Sequence, residues 1–319
     1  MSNILYNEIM KLEHLIDKKI DLDKIEPLRE LIEYYYEFGD CKKAFDYSKE
    51  LDEIAWGNST LSVEDQVMIR LRLIGLTYDY DLRSNWKTIM ELIQSIEKLS
   101  NELSLPNFLI DRAQLYLLEF SLYRRDFRLF NETKLLLEAK ENLDKENKAY
   151  FHYILSIDAS FSDIDKAFIN INEAISYSSL HSLSWFQYNI EFARLLAEND
   201  RKGAIEKLNH LIQVLNEYSK ENERIYFSKD EVLIEIFFAL SYYEESFKGK
   251  YDALEKAILL SRKTNSKEIY IESLVRRVLL IRNNNRESKY NFKKMFSQVY
   301  ELCDIFDYED LVEDLDGIR

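Results

Sequence analysis

Apolar and aromatic positions recur at three- and four-residue steps through Leu28, Leu31, Ile32 and Tyr35, the spacing of one face of an α-helix. Gly39-Asp40 interrupts that period, and Ala44 sits early in a second segment with the same spacing. The pattern predicts a helix hairpin over about residues 24–55. Pro27 falls near its start, where a missing N–H costs nothing. Ala44 stands where two helices cross closely, because a small side chain permits close approach.

Weaker copies follow. Leu5, Ile9, Leu12, Ile16 and Ile20 share a helical face, which reads as a leading cap helix within residues 1–22. A second hairpin runs from Ser62, a capping residue with Asp65 three positions on, to about Leu99; Gly75 and Tyr78 lie on its first helix and Trp86 opens its second. The third starts after Pro106 and turns near Arg124-Arg125-Asp126. The fourth has a short first helix from Tyr150 to about Ala159, turns at Ser162-Asp163 and packs through Ala167 and Ala174. The fifth turns at Asn199-Asp200, with Ala204 in the close-crossing slot. Ser228 and Glu231 read as a capping box for the sixth, which turns at Lys248-Gly249-Lys250 and continues through Ala253. The seventh spans about 267–305 and turns at Asn283 to Arg286, and a short acidic helix within 306–319 ends the series.

Composition supports this all-α reading. Among 319 residues there are only six Gly and two Pro, against roughly 22 and 16 at average usage. Such scarcity removes most tight turns and glycine-rich loops. The abundant Tyr does not imply strands, since Glu231 to Tyr243 has its apolar residues at helical steps without alternation. No linker-like composition divides the chain, so one domain over 1–319 is expected.

A formal charge of −15 disfavours contact with nucleic acid or anionic lipid, both polyanions. No apolar run approaches the ~20 residues that span a bilayer, and the first residues lack a signal-peptide pattern. Cys41 and Cys303 are far apart and form no CxxC. They read as buried structural thiols in a reducing cytoplasm. The glycines never cluster, which excludes phosphate-cradling loops. His14, His152, His181 and His210 are isolated, so no metal site is expected. No nucleophile elbow is present. The expectation is a protein without enzyme activity, catalytic residues or cofactors.

One charge feature stands out. Arg276, Arg277, Arg282, Arg286, Lys289, Lys293 and Lys294 precede an acidic tail from Asp304 to Asp316. Pairing between the two is the plainer expectation, with docking of an acidic partner as the alternative.

Leu28, Leu31, Ile32, Tyr35, Gly39 and Ala44 resemble the tetratricopeptide repeat signature, and Lys166-Ala167 through Ala174 resembles its second helix. Ala167 and Ala204 are 37 residues apart, near that family's period of about 34. The resemblance implies a right-handed superhelical solenoid of about seven antiparallel hairpins. In general style the chain also resembles the repeat domains of bacterial peptide-pheromone receptors (the Rap, Rgg, PlcR and arbitrium-receptor group). Most of those carry an N-terminal DNA-binding domain, whereas this chain starts directly with helical repeats.

A solenoid of this kind offers a concave wall built from first helices. Repeat spacing turns Arg29, Glu33 and Tyr36 inward in repeat one, and Phe186 and Asn189 in repeat five. Asn amides donate and accept at once along a peptide backbone, and aromatics supply contact area at low entropic cost. The expected partner is a peptide or protein segment, and the expected role is that of a sensor or adaptor. A structural scaffold, a self-associating protein (homodimerisation fits the pattern) or an inhibitor of another macromolecule is the alternative.

Overall fold

The structure, a computed structural model, describes residues 3–19, 21–37, 40–140, 142–219, 223–306 and 308–317. Among them it contains α-helices, two short 3-10 turns and no strand. In chain order the helices are α1 (Asn3–Lys18), α2 (Ile25–Glu37), α3 (Cys41–Ala55), α4 (Val63–Glu102) and α5 (Asn107–Tyr123). Next come α6 (Phe127–Glu138), α7 (Lys145–Ser160), α8 (Ile164–Tyr177), α9 (Leu183–Leu196) and α10 (Arg201–Tyr218). The last are α11 (Glu223–Tyr243), α12 (Phe247–Thr264), α13 (Lys267–Asn283), α14 (Phe292–Ile305) and α15 (Glu309–Asp316). The chain groups into two compact units: Met1–Glu37, Cys41–Asp79 and Asn85–Tyr188 form the first, and Phe38–Asp40, Tyr80–Ser84 and Asn189–Arg319 the second.

Side-chain caps start many of these helices. Ser62 accepts from the Asp65 N–H at 3.0 Å, Asp126 from Leu129, Asp144 from Asn147, Asp163 from Lys166, Asp200 from Gly203 and Ser246 from Gly249. Each bond satisfies a donor that the first helical turn leaves unpaired. With so few glycines, chain reversals place other residues in the left-handed region: Arg125 (φ 58°), Asn265 (φ 54°) and Asn285 (φ 52°). Asn enters that region more easily than most side chains.

In the first unit, α2 packs on α3, α5 on α6 and α7 on α8. Ala44, Ala167 and Ala174 are completely buried, as close crossings require. One core cluster joins Leu115, Leu118 and Leu122 of α5 to Phe130 of α6 and Phe151, Ile154 and Leu155 of α7. On α1, Ile9 and Ile16 are buried as expected, while Leu5 and Ile20 have side chains outside the described set. Gly39 also lies outside the described residues.

The second hairpin consists of two helical arms, both within α4, that meet at Asp81, whose backbone is non-helical (φ −166°, ψ 82°). The chain reverses there. Residues 70 and 95 of a straight helix would stand about 37 Å apart, yet the Arg70 guanidinium donates to Ser95 Oγ at 2.7 Å. That same guanidinium makes two bonds to Asp52 of α3, at 2.9 and 2.6 Å, and lies 3.3 Å from the centre of the Trp56 ring.

In the second unit, α11 packs on α12, α12 on α13, and α13 on α14 and α15. Val275 and Val278 of α13, Val299 and Cys303 of α14, and Leu311 and Leu315 of α15 share a core with Tyr308. Asp81 belongs to this unit. It is 1% exposed, pairs with Lys267 and accepts from Tyr308 Oη at 3.1 Å. Both cysteines are buried free thiols.

Two expectations are corrected here. Ser228 lies five residues inside α11, which begins at Glu223, so it does not cap that helix. Lys248-Gly249-Lys250 lies within the first turn of α12, because the cap is Ser246 and the Gly249 N–H is its partner. A glycine read as a turn signal is there a helical residue beside a good cap.

Candidate functional site

The first helices of the first unit form a continuous polar and aromatic wall. On α2, Arg29, Glu33 and Tyr36 share one face, being four and three residues apart. Arg29 reaches Asp65 of α4 at 3.4 Å. Arg72, two turns further along α4, holds Glu33 through two bonds of 3.1 Å and lies 4.3 Å from the centre of the Tyr36 ring. Three of the expected residues are thus brought together, and Arg72 joins two of them. These groups are half-exposed, so the pairs order the wall more than they stabilise the fold.

The wall continues from α4 to α5. The Tyr78 and Tyr116 rings stack at 5.7 Å, and Tyr78 Oη donates to the Tyr116 carbonyl at 3.1 Å. Gly75 makes room for this arrangement, since a Cβ there would stand 3.0 Å from Tyr116 Oη. From α5 to α7, Tyr116 meets Tyr150 edge-on at 6.0 Å, Arg112 lies over the Tyr150 ring, and Tyr150 Oη donates to Glu119. Tyr153 of α7 then packs on Tyr188 of α9, with ring centres 5.0 Å apart.

Burial pushes the Tyr78 and Tyr150 phenols well up, and the negative charge of Glu119 adds to the shift. Burial raises the Tyr188 phenol as well. These phenols stay neutral at physiological pH, so they donate hydrogen bonds and offer ring faces but are not bases or nucleophiles. Arg112, Glu119 and Glu146 add fixed charge beside them. Ring faces stack on other planar groups, and phenol donors bond carbonyl acceptors.

The other two expected residues are placed differently. Phe186 is 1% exposed and Asn189 3%, so both offer almost no surface. They share the core face of α9 with buried Ile190 and Ala193. The ring of Phe186 packs edge-on against Trp185 at 5.1 Å. The residue of α9 that packs on Tyr153 is Tyr188, which the sequence analysis passed over; it is itself only 4% exposed, so α9 supports the end of the wall from beneath and adds no surface of its own. The spacing 112/116/119 on α5 and 146/150/153 on α7 was the available signal, a polar and aromatic stripe at four- and three-residue steps.

The basic cluster departs from its expected pairing with the tail. Arg277 bonds Glu255 of α12 at 2.6 Å, Arg282 bonds nearby Glu287 at 2.7 Å, and Arg286 lies over Phe247. Arg276 feels the tail through the charge of Asp314. Tail residues Leu311 and Leu315 are instead turned into the core. Among the described residues no group of three or more His, Cys, Asp or Glu is placed to hold a metal ion.

No family model matches the chain, and no curated protein matches it by sequence. Solved structures do share its fold. The Rap protein complexed with competence and sporulation factor superimposes with a TM-score of 0.62 at 11% identity, covering 98% of this chain and 80% of that one. The apo quorum sensor NprR from B. thuringiensis gives 0.53 at 13% identity, covering 94% and 87%. This chain therefore has the all-helical, tetratricopeptide-like repeat fold of the Rap protein and NprR.

Proposed function

We propose that the chain is a peptide- or protein-segment-binding regulator, a sensor or adaptor that seats its guest on the wall of first helices. The observation that carries this reading is the series of partly buried tyrosines with Arg72, Arg112 and Glu119 across α4, α5 and α7. The two fold neighbours support it, one being solved with a bound factor and the other named a quorum sensor. In this reading the guest is an extended polypeptide, no nucleic acid is contacted, and the protein acts in the cytoplasm. Among the described residues no helix is long and apolar enough to cross a membrane.

The test is capture of short peptides from native cell extract on the immobilised chain, read by mass spectrometry. A double variant, Arg112→Ala with Tyr153→Ser, serves as the control surface. Peptides retained by wild type and lost from the variant support the reading. Equal retention by both, or retention by neither, refutes it.

A second reading, a self-associating scaffold, is favoured by one feature. Helix α6 exposes the adjacent Leu135 (66%) and Leu136, and exposed apolar surface can mark contact sites. Light scattering that shows a monomer at all accessible concentrations refutes homodimerisation.

A further inference from the structure

The second unit carries an open cleft of about 350 Å³, lined by α11, α12, α13 and α15. That lies at the lower end of the ~300–1,000 Å³ typical of ligand sites. Arg276 of α13 forms part of it. Its guanidinium carbon stands 3.0 Å from the centre of the Tyr242 ring and 5.6 Å from that of Phe238. Stacked over a ring, a guanidinium keeps its N–H donors in its own plane, free for in-plane acceptors.

Arg277 and Arg282 have carboxylate partners within 2.7 Å, whereas among the described residues Arg276 has ring contacts and the more distant charge of Asp314 but no hydrogen-bond acceptor. Burial pushes the guanidinium down to about 10, with Asp314 acting against that shift. A part-buried guanidinium at the wall of an open cleft, with no protein acceptor among the described residues, can take an anion there.

The remaining lining says which anion. Lys250 and Arg276 line the cleft together with Glu272, one turn before Arg276 on α13, and Asp314 of α15. Two cations against two carboxylates accommodate a monoanion and oppose a phosphate dianion. A carboxylate also matches the guanidinium fork with two parallel bonds. Leu254, Leu279 and Leu311 supply apolar lining, suited to a hydrocarbon side chain. Asn283, exposed at the end of α13, offers an amide to a backbone.

We propose that this cleft binds an apolar carboxylate, the free C-terminus of a peptide ending in a hydrophobic residue, with Arg276 as its clamp. The site goes beyond the wall reading and is independent of it, since it rests on the second unit alone.

The probes are two fluorescein-labelled pentapeptide pools, randomised at the first four positions and ending in Leu. One pool carries free acids and the other C-terminal amides. Polarisation on the full chain is expected to show the acids binding about tenfold tighter than the amides, as a charge-assisted bidentate pair implies. Arg276→Gln is expected to abolish that preference. Asn283→Asp, on an exposed residue that leaves the core untouched, is expected to weaken the acids more than the amides, so that the acid-to-amide ratio falls. N-acetyl-leucine displacing the acids at comparable affinity supports the site and makes a small carboxylic acid its ligand. Acids and amides binding alike, a preference that survives Arg276→Gln, or no response to either pool or to N-acetyl-leucine overturns the proposal. Tyr153→Ser is expected to leave the acid-to-amide ratio unchanged, so failure here and failure of the wall are told apart.

Discussion

Removing the charge of Asp52 is expected to be the most damaging conservative change in the first unit. Asp52 and Arg70 are both buried, with side chains 9% exposed. Arg70 spends three nitrogens on Asp52 and Ser95 and rests its face on Trp56. Asp52→Asn keeps the shape but leaves a guanidinium desolvated with no counter-charge. Breaking a buried pair from one side costs about 3–5 kcal/mol. At roughly 2–4 °C per kcal/mol for a unit of this size, the first transition is expected to fall by about 10 °C. Differential scanning calorimetry, with each unit's transition followed separately, is the measurement. The companion variant replaces both partners, Asp52→Leu with Arg70→Met. It is expected to recover most of the loss, because no charge is then buried and the volumes are similar. A single variant within about 1 kcal/mol of wild type, inside the range of exposed pairs, refutes the reasoning. So does a double variant as unstable as the single.

Three other expectations concern the same unit. Glu13 of α1 is desolvated, which raises its carboxyl, but donors from Tyr35 at 2.6 Å, Lys43 and Tyr47 outweigh burial and hold it below the ordinary value. A carboxyl depressed on folding contributes stability above its unfolded pKa of about 4.3, and that contribution is lost as pH falls through the folded value. Glu13→Gln is therefore expected to lower the urea midpoint at neutral pH and to match wild type in acid; a gap that widens in acid contradicts this. Gly75→Ala gains roughly 1 kcal/mol of helix propensity but pushes on Tyr116 Oη, so peptide capture is expected to fall with little change in melting temperature; a variant that melts far lower, or binds unchanged, speaks against the close fit. Ala167→Leu overfills the crossing of α7 and α8 and is expected to cost about 1–3 kcal/mol by chemical denaturation, whereas a neutral result means the helices stand further apart than drawn.

The hairpin series was readable because a 3.6-residue period survives weak repeats. Helix ends were readable where a capping side chain marked them, as at Ser62, Asp163 and Asp200. They were misread where a stronger local cue pointed elsewhere: Gly249 drew the turn away from Ser246, and Ser228 with Glu231 imitated a cap inside α11. The wall was half legible. Arg29, Glu33 and Tyr36 share a face at helical spacing, and the structure joins two of them through Arg72. In α9 the phase was taken two residues early at Phe186, because that helix carries aromatics on several faces and composition alone does not rank them. Arg276 was visible only as one member of a basic cluster. Its stacking on Tyr242 depends on two helices meeting, which no local pattern encodes.

Asp81 has a consequence for biosynthesis. Contacts in a repeat array are mostly between neighbours, so such chains can form order progressively from one end. This carboxylate is an exception, since its partners Lys267 and Tyr308 come 186 and 227 positions later. On the ribosome, that acid group must stay hydrated until Lys267 and Tyr308 have emerged. Completion of an early reversal is thereby tied to segments translated much later, and a nascent chain halted before Tyr308 would leave it unfinished.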